Sequence, residues 1–335
     1  MKALLGVFVA TLAILSIMFT AFPAFGDWSE AERQFIQEMH EKHQIPPEET
    51  EALLRAANKS QPILDAISRP WEARPWYEYY TIFLTERRLQ EGLAFWDKHA
   101  DTLERARKVY GVPEEVIVAI LGVETYYGGV MGRHRVLDAL YTLGFHFPPR
   151  QTFFRSELAQ FMLLTREENL PAHELMGSYA GAMGFGQFIS SSYRHYAVDF
   201  DGDGQRDLLT NVVDAIGSVA NYFARHNWRD AQPIAVPAWV SADTDVSALT
   251  SGRGTVLTHT VDELHKQGVR FITALPGESR ARLFAFAEED GSYSYWVGFQ
   301  NFYAITRYNH SPLYAMAVFQ LAEQLRAHRV TQDAQ

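Results

Sequence analysis

The sequence predicts a mainly helical protein of the α+β class, with a small β-rich segment near its C-terminal end. Through most of the chain, apolar residues recur at helical spacing. Between residues 233 and 301 they tend instead to alternate with polar residues, which is typical of strands. The chain has 335 residues, 47% of them hydrophobic and 21% charged, so it is long enough for about two domains with a real core.

The first 26 residues have the pattern of a secretory signal peptide. Lys2 precedes an apolar run over residues 3–19, and small residues at positions 24 and 26 suit cleavage after Gly26. The alternative is an uncleaved membrane anchor, because the run approaches the ~20 residues needed to cross a bilayer. We favour the signal, since Pro23 also suits cleavage. We therefore expect a soluble, exported protein of the periplasm.

Composition excludes several classes of site. The chain carries 30 basic and 40 acidic residues, a net charge of −10, so it lacks the basic footprint of a nucleic-acid-binding protein. It contains no cysteine, which excludes disulfides, zinc-thiolate sites, thiol nucleophiles and a lipidated N-terminal cysteine. An acidic chain of this kind can still act on a glycan or a small molecule.

Residues 27–110 are predicted to form an N-terminal helical domain. Ser29 can cap its first helix, and a proline pair at 46–47 begins the second. A longer helix is predicted from Thr85 to Val109, and Gly111 ends it.

Residues 111–231 are predicted to form a second helical unit, which carries the candidate catalytic residues. Pro113 begins its first helix, which is predicted to stop at Gly128 and Gly129. Further helices are predicted over 137–143, 151–167 and 211–226.

The remaining chain is divided into a β-rich subdomain over 232–300 and a C-terminal segment over 301–335. Strands are predicted at 283–287 and 293–297, joined by a hairpin through Asp290 and Gly291. A final helix is predicted from Pro312 to about Ala327.

Glu124 lies on the apolar face of its helix. Ile117, Ile120 and Leu121 precede it by seven, four and three residues, and Tyr127 follows three residues later. Burial and a position near the helix C-terminus both raise the pKa of a carboxyl, as a general acid near neutral pH requires. The spacing is equally compatible with a structural ion pair to an arginine such as Arg133 or Arg135.

Longer motifs decide between these readings. The chain contains ILGVETYYG at 120–128, SYAGAMGFGQF at 178–188, DAIGSVANYF at 214–223 and NFYAITRYNHS at 301–311. In this order they resemble the membrane-bound lytic transglycosylase B family of peptidoglycan enzymes. The resemblance covers nearly all of the chain after residue 26 and is weakest between residues 232 and 291. It implies a lysozyme-like catalytic core with Glu124 as its catalytic acid.

The same resemblance implies a set of sugar-binding residues. In the family, the glycine-rich segment lines the groove beside the acid, although its glycines alone would indicate an ordinary tight loop. By position, the sugar contacts implied here are Ser178, Gln187, Tyr222, Tyr308, Asn309, Tyr314, Arg150 and Tyr79. Two positions depart from the family: Pro149 stands where a second arginine is expected, and Phe153 where a tyrosine is expected.

An aspartate-rich loop predicts a structural calcium site. Asp199, Asp201 and Asp203 match positions 1, 3 and 5 of an EF-hand loop, with glycine at position 6. Gln205 would add a backbone carbonyl, whereas Thr210 replaces the usual glutamate at position 12. Asp214, four residues later, can supply the missing carboxylate. The alternative is a solvated Asp-Gly turn.

The expected function is cleavage of the β-1,4 bond between N-acetylmuramic acid and N-acetylglucosamine, with formation of a 1,6-anhydro end. One alternative is a hydrolytic muramidase, which needs a second carboxylate, for which Asp138 and Glu157 are candidates. Another is a non-catalytic, calcium-stabilised peptidoglycan-binding protein. As partners we expect peptidoglycan glycan strands and enzymes of cell-wall synthesis or division, and we expect a monomer.

Overall fold

The structure, a computed structural model, describes residues 28–69, 74–251 and 254–333, with side chains described to residue 331. The signal peptide predicted for residues 1–26 lies outside these ranges. The described helices are α1 (Glu30–His43), α2 (Pro47–Ala56), α3 (Gln61–Ile67), α4 (Trp76–Phe83), α5 (Glu86–Lys98), α6 (Ala100–Tyr110), α7 (Glu114–Thr125), α8 (Val136–His146), α9 (Gln151–Glu167), α10 (Ser190–Tyr196), α11 (Val212–Arg225), α12 (Val246–Thr250), α13 (Val261–Lys266), α14 (Gln300–Tyr308) and α15 (Pro312–Asp333).

Most predicted helices are confirmed within a few residues, but the single helix predicted over 85–109 is wrong. The chain breaks at His99, whose φ of −117° ends α5 and starts α6 in a new direction. The His99 ring packs on Phe95, one helical turn earlier, at 4.6 Å, so this side chain stays on α5 while the backbone leaves the helix. At the start of the chain, Ser29 caps α1 in a reciprocal capping box with Glu32, as its position predicts.

A five-stranded antiparallel sheet forms the β-rich part of the protein. Its strands are β3 (Ala235–Val240), β4 (His259–Thr260), β5 (Val269–Arg270), β6 (Arg280–Ala287) and β7 (Tyr293–Gly298), in the order β4-β6-β7-β3-β5. The predicted hairpin is confirmed, because β6 pairs with β7 and Gly291 in the connecting turn has a φ of +82°. Two short strands elsewhere, β1 (His134–Arg135) and β2 (Met176–Gly177), also pair antiparallel.

Two hydrophobic clusters organise the interior of the described chain. The larger runs from Phe35 to Leu325 and joins the N-terminal helices, the middle helices and α15 in one core. The smaller contains residues between Ala238 and Phe299 only, whereas Ala235, Phe284 and Phe286 of the sheet belong to the larger cluster. The continuous larger core shows no break at the predicted boundary between residues 110 and 111, and that division stays a prediction.

Helix α7 occupies the centre of the larger core. It packs against α5, α6, α11 and α15, and Val116, Ile120 and Leu121 are buried. Burial on all sides fixes the axis of a helix, so its last turn has a defined position at the edge of the core. No helix in the described ranges is long and apolar enough to cross a bilayer.

Candidate active site

A cleft of about 510 Å³ opens at the C-terminal end of α7. Six parts of the chain line it: the last turn of α7, the start of α9, the glycine-rich segment, the start of α10, α11 and the end of α14. Its lining residues are Glu124, Arg150, Phe153, Phe154, Ser178, Tyr179, Ala180, Ala182, Gln187, Phe188, Ile189, Ser192, Tyr222, Arg307, Tyr308, Asn309 and His310. Among the described residues, Glu124 is the one carboxylate that lines it.

The end of α7 differs from the prediction that the helix would continue to Gly128. It ends at Thr125, and the next two residues, Tyr126 and Tyr127, adopt left-handed backbone conformations with φ of 57° and 58°. Such conformations cost about 1–2 kcal/mol for each non-glycine residue. Their N–H groups bond back to the carbonyls of Gly122 and Leu121 at 3.1 and 3.0 Å, which closes the last turn. Glu124 is therefore the penultimate residue of the helix.

The Tyr127 ring offsets part of this strain. It fills the space beside two glycines, because a Cβ at Gly92 or Gly122 would lie 2.3 or 2.5 Å from its hydroxyl oxygen. The hydroxyl donates to the Arg88 carbonyl at 2.9 Å, and the buried Arg88 side chain donates to the Gly122 carbonyl at 3.1 Å. These contacts join α5 to the turn that carries Glu124. Arg88 was not among the predicted site residues, because no sequence motif indicates it.

Tyr314 holds the carboxylate of Glu124. Its hydroxyl, on the first turn of α15, donates to Glu124 Oε1 at 2.5 Å. Tyr314 is only 3% exposed, and burial followed by the charge of Glu124 raises its pKa well above the ordinary value. It therefore stays protonated and acts as a donor. Tyr314 does not line the cleft, so its place beneath Glu124 differs from the direct sugar contact that the resemblance implies.

The glycine-rich segment is tied to α7 and to the loop that follows it. The Thr125 hydroxyl donates to the Phe185 carbonyl at 2.7 Å, and the Phe185 N–H donates to the Leu208 carbonyl at 3.0 Å. Gly184 has a φ of +74°, and a Cβ there would lie 2.2 Å from the oxygen of Leu208. A side chain at position 184 would thus push the segment away from its support.

Ser178 and Gln187 both face the cleft, as predicted from their positions in the motif. The Ser178 hydroxyl oxygen accepts from the N–H groups of Ala180 and Ala182 at 3.2 and 3.1 Å. Its O–H remains able to donate to a ligand. The Gln187 amide nitrogen donates to the carbonyls of Met131 and Gly184, which directs the amide oxygen as an acceptor.

Tyr222, Tyr308 and Asn309 also line the cleft. The Tyr308 hydroxyl donates to the Gly186 carbonyl and the Tyr222 hydroxyl to the Arg307 carbonyl, each at 2.5 Å. Burial is the main cause of the raised pKa of both phenols. Their rings lie 4.7 Å apart at 61°, and both hydroxyl groups are engaged by backbone carbonyls.

Arg150 and Tyr79 occupy different environments. Arg150 is exposed at the cleft, with its guanidinium 4.4 Å from the centre of the Phe153 ring. Tyr79 is 2% exposed and does not line the cleft. It lies near enough to Tyr314 to contribute to the raised pKa of that phenol. Tyr79 therefore belongs to the buried residues that surround the site and does not face the cleft.

Arg307 and His310 also line the cleft and were not selected from the sequence. Burial is the main cause of the lowered pKa of His310, followed by the charges of Arg307 and Arg150. Both residues lie within the NFYAITRYNHS motif, so their position in this motif could have identified them as site residues.

The aspartate-rich loop lies between the glycine-rich segment and α11. Oxygens of Asp199, Asp201 and Asp203 lie within 4.8 Å of one another, so this group has the donor atoms and spacing of a site for a hard cation. Backbone N–H groups, that of Gly204 first, lower the pKa of Asp199. Gln205 follows the group, and its N–H donates to Asp203 at 2.8 Å.

Asp214 has a different arrangement from the other loop aspartates. It is fully buried, and its two oxygens accept from the N–H groups of Phe200 and Asp207 at 2.7 and 2.8 Å. Burial is the main cause of its raised pKa. The Thr210 hydroxyl donates to Asp207. The structure thus brings together three of the predicted carboxylates and places the fourth beneath the loop.

Neither candidate for a second catalytic carboxylate lines the cleft. Asp138 pairs with Arg135 at 2.6 Å and accepts from the Asn58 N–H. Glu157 is buried and accepts from the Ser191 N–H at 2.9 Å. Both carboxylates therefore have structural partners away from Glu124.

Comparison with known proteins finds close relatives over most of the chain. The family model of the transglycosylase SLT domain matches residues 27–323. The membrane-bound lytic murein transglycosylase B of Escherichia coli K12 is 42% identical over 308 residues, which cover 89% of this chain and 83% of that protein.

Solved structures agree with the sequence comparison. The catenated lytic transglycosylase SltB1 of Pseudomonas aeruginosa is 47% identical, with a TM-score of 0.85, over 90% of this chain and 99% of that one. The Escherichia coli lytic transglycosylase Slt35 in complex with calcium is 41% identical, with a TM-score of 0.78, over 90% and 94% of the two chains. These similarities confirm the expected lysozyme-like fold class.

Proposed function

Since the chain belongs to the transglycosylase SLT family and is a lytic transglycosylase of peptidoglycan, we propose that Glu124 is its single catalytic acid and base. The observation that carries this proposal is that, among the described residues, Glu124 is the one carboxylate lining the cleft. Hydrolytic glycosidases use two carboxylates that flank the scissile bond. A single carboxylate suits a reaction in which the substrate supplies its own nucleophile.

The proposed reaction has two proton transfers. Glu124 first donates its proton to the glycosidic oxygen between N-acetylmuramic acid and N-acetylglucosamine, and the bond from that oxygen to C1 breaks. The carboxylate then takes the proton from the muramoyl C6 hydroxyl as its oxygen bonds to C1. The product has a 1,6-anhydro end, and Glu124 is protonated again.

The proposed substrate contacts follow the cleft lining. Ser178 and Gln187 would provide a donor and an acceptor to the sugar beside Glu124, while Tyr222 and Tyr308 would pack against sugar rings. Asn309 and Arg150 would contact the strand further along. Tyr314 and Tyr79, which are buried, would act by positioning Glu124 instead of touching the sugar.

We further propose a structural calcium ion at Asp199, Asp201 and Asp203. The similarity to a relative in complex with calcium supports it, as do three carboxylates with hard oxygen donors at suitable spacing. The carbonyl of Gln205 would complete the set, and Asp214 would hold the loop from below. The ion would neutralise the three aspartates and fix the loop beside the glycine-rich segment.

The location of the enzyme follows from the first residues and the substrate. We propose that residues 1–26 direct export and are removed, so that the enzyme acts on the glycan strands of the wall from the periplasm. N-terminal peptide mass analysis of the purified protein tests this proposal. Asp27 as the first residue supports it, and an intact Met1 in the membrane fraction contradicts it.

Analysis of fragments released from purified peptidoglycan tests the reaction. We expect fragments with anhydro ends, which are lighter by one water than reducing ends. Reducing ends would instead favour the muramidase, and a complete lack of fragments would favour the binding protein.

A further inference from the structure

A second cavity of about 380 Å³ lies between α1 and α9, and the proposed reaction does not use it. We call it the α1–α9 pocket. Its polar lining includes Gln34, Lys42 and His43 from α1 and Thr152, Arg155 and Ser156 from α9. These side chains offer hydrogen-bond donors with positive charge, which suits an anionic, hydrogen-bonding ligand.

The pocket and the active-site cleft are lined by neighbouring residues at the start of α9. Phe153 and Phe154 line the cleft, while Thr152, Arg155 and Ser156 line the α1–α9 pocket. Phe153 and Ser156 are three residues apart on one helix, so their Cβ atoms are about 5–6 Å from each other. A bound peptide that extends from the cleft along the first turns of α9 would thus reach the pocket within a few of its residues.

Arg155 gives the pocket its unbalanced charge. Among the described residues, no carboxylate lies within 4 Å of its guanidinium. Its stem passes close to Gly144, since Cγ lies 3.2 Å from where a Cβ of that residue would be, and the guanidinium lies 6.0 Å from the centre of the Phe145 ring. A guanidinium without a carboxylate partner can bind a carboxylate through two parallel hydrogen bonds.

The other charges in the pocket do not cancel Arg155. Glu38 is the one acid that lines it within the described ranges, and its carboxylate lies 3.5 Å from Lys42 Nζ. The pocket therefore keeps a positive excess on a chain whose net charge is −10. This local reversal of sign favours an anion over a neutral sugar.

We propose that the α1–α9 pocket binds a carboxylate on the peptide arm of the same peptidoglycan strand whose sugars occupy the cleft. The inference rests on the proposed function, since it takes the muramoyl sugar near Glu124 as the point where the peptide arm begins. An extended peptide advances about 3.3–3.6 Å per residue, so two or three residues span the first turns of α9. Arg155 then selects peptide-bearing strands over bare glycan.

A binding assay separates this proposal from the reaction itself. Full-length protein with Glu124→Gln is titrated with soluble, uncrosslinked peptidoglycan strands, either intact or stripped of their peptides by an amidase. We expect tighter binding of intact strands. Adding Arg155→Gln is expected to weaken binding of intact strands about tenfold, as loss of a charge-assisted hydrogen-bonding pair would, and to leave stripped strands within about twofold.

Two further variants sharpen the result. Ser156→Glu places a negative charge in the pocket at an exposed helical position and should weaken binding of intact strands selectively. Arg166→Gln, on the same helix but paired with Glu49, should leave the binding of both intact and stripped strands unchanged. Equal losses on both substrates, or no loss on intact strands with Arg155→Gln and Ser156→Glu, overturn the proposal. The binding assay does not depend on turnover. Failure of the proposed reaction would be seen in a different experiment, in which the wild type releases no fragments with anhydro ends.

Discussion

Tyr314 and Glu124 are 190 positions apart in the chain, yet the phenol hydroxyl of one lies 2.5 Å from the carboxylate of the other. The first turn of α15 and the last turn of α7 meet at this contact. The donor is buried and remains protonated, so it restrains the orientation of the carboxylate and stabilises its negative charge. In the proposed cycle this is the state that takes the proton from the C6 hydroxyl.

Glu124→Gln is expected to abolish turnover with little effect on folding. Glutamine keeps the size of the side chain and its ability to hydrogen bond with Tyr314, but it cannot donate or accept the catalytic proton. Loss of general acid-base catalysis typically lowers rates about 10²–10⁴-fold, and more when one group serves both steps. The check is the rate of release of anhydro-ended fragments, with the thermal transition as a folding control. Release at the wild-type rate would show that Glu124 is not the acid.

Tyr314→Phe should lower kcat by about tenfold or more, since a hydrogen bond to a charged group contributes about 1.5–3 kcal/mol. The ring stays in place and the substrate contacts are unchanged, so KM should remain within about twofold of the wild type. Steady-state kinetics on soluble strands measures both constants. Tyr293→Phe, at an exposed position of β7, is the matched control. An unchanged kcat for Tyr314→Phe would rule out a positioning role.

Calcium should raise the melting temperature of the native protein, because an ion that binds only the folded state stabilises it by mass action. Asp201→Ala should weaken this response, since it removes one of the three clustered carboxylates. Asp65→Ala, at an exposed position on α3, should leave the response intact. Thermal unfolding with added calcium and with a chelator makes the comparison. A transition that neither reagent shifts would show that the fold is not stabilised by calcium.

Gly184→Ala should destabilise the protein and reduce turnover. The new Cβ would meet the Leu208 oxygen at 2.2 Å and would also strain a positive φ. Gly291→Ala separates the two effects, because its φ is also positive but nothing lies within 4 Å of the added Cβ. Strain alone costs about 1–2 kcal/mol, so in urea unfolding Gly291→Ala should lose about that much. An equal loss from Gly184→Ala would mean that contact with Leu208 does not matter.

The protein should become less stable as the pH falls below about 6.5, the unperturbed pKa of histidine. Burial lowers the pKa of His226, whose ring stacks on Tyr222 at 4.0 Å. A lowered pKa means that the unfolded chain binds more protons in this range, so the stabilisation present at higher pH is lost on acidification. His226→Gln should flatten the dependence of the melting temperature on pH between 7 and 5. The exposed His328→Gln is the control, and an unchanged slope for His226→Gln would contradict the assignment.

Local sequence predicted the features that depend on neighbouring residues. The cap at Ser29, the hairpin at Gly291 and the position of Glu124 near a helix end follow from spacing and turn chemistry. The motif resemblance selected Ser178 and Gln187, which the structure places in the cleft beside Glu124. Each of these features depends on residues close together in the sequence, and each is present in the structure.

Contacts between distant segments were not predictable in this way. The bond from Tyr314 to Glu124, the insertion of Tyr127 between two helices and the support by Arg88 depend on which helices pack together. Helical periodicity shows that a residue faces a core, but not which residue it meets there. The break at His99 was missed as well, because no proline or glycine marks it.

The buried carboxylate of Asp214 orders the aspartate-rich loop from within the polypeptide. It already joins the N–H groups of Phe200 and Asp207 across the base of the aspartate-rich loop, and Asn211 Nδ2 donates to Asp201 at 2.8 Å. These hydrogen bonds hold the loop closed within the polypeptide, so part of the conformational entropy of ordering the proposed calcium site is lost on folding and not on ion binding. Removal of the proposed ion should relax the outer carboxylates, while the amide protons of Phe200 and Asp207 stay slow to exchange with solvent. The groove beside the loop should therefore form without the ion.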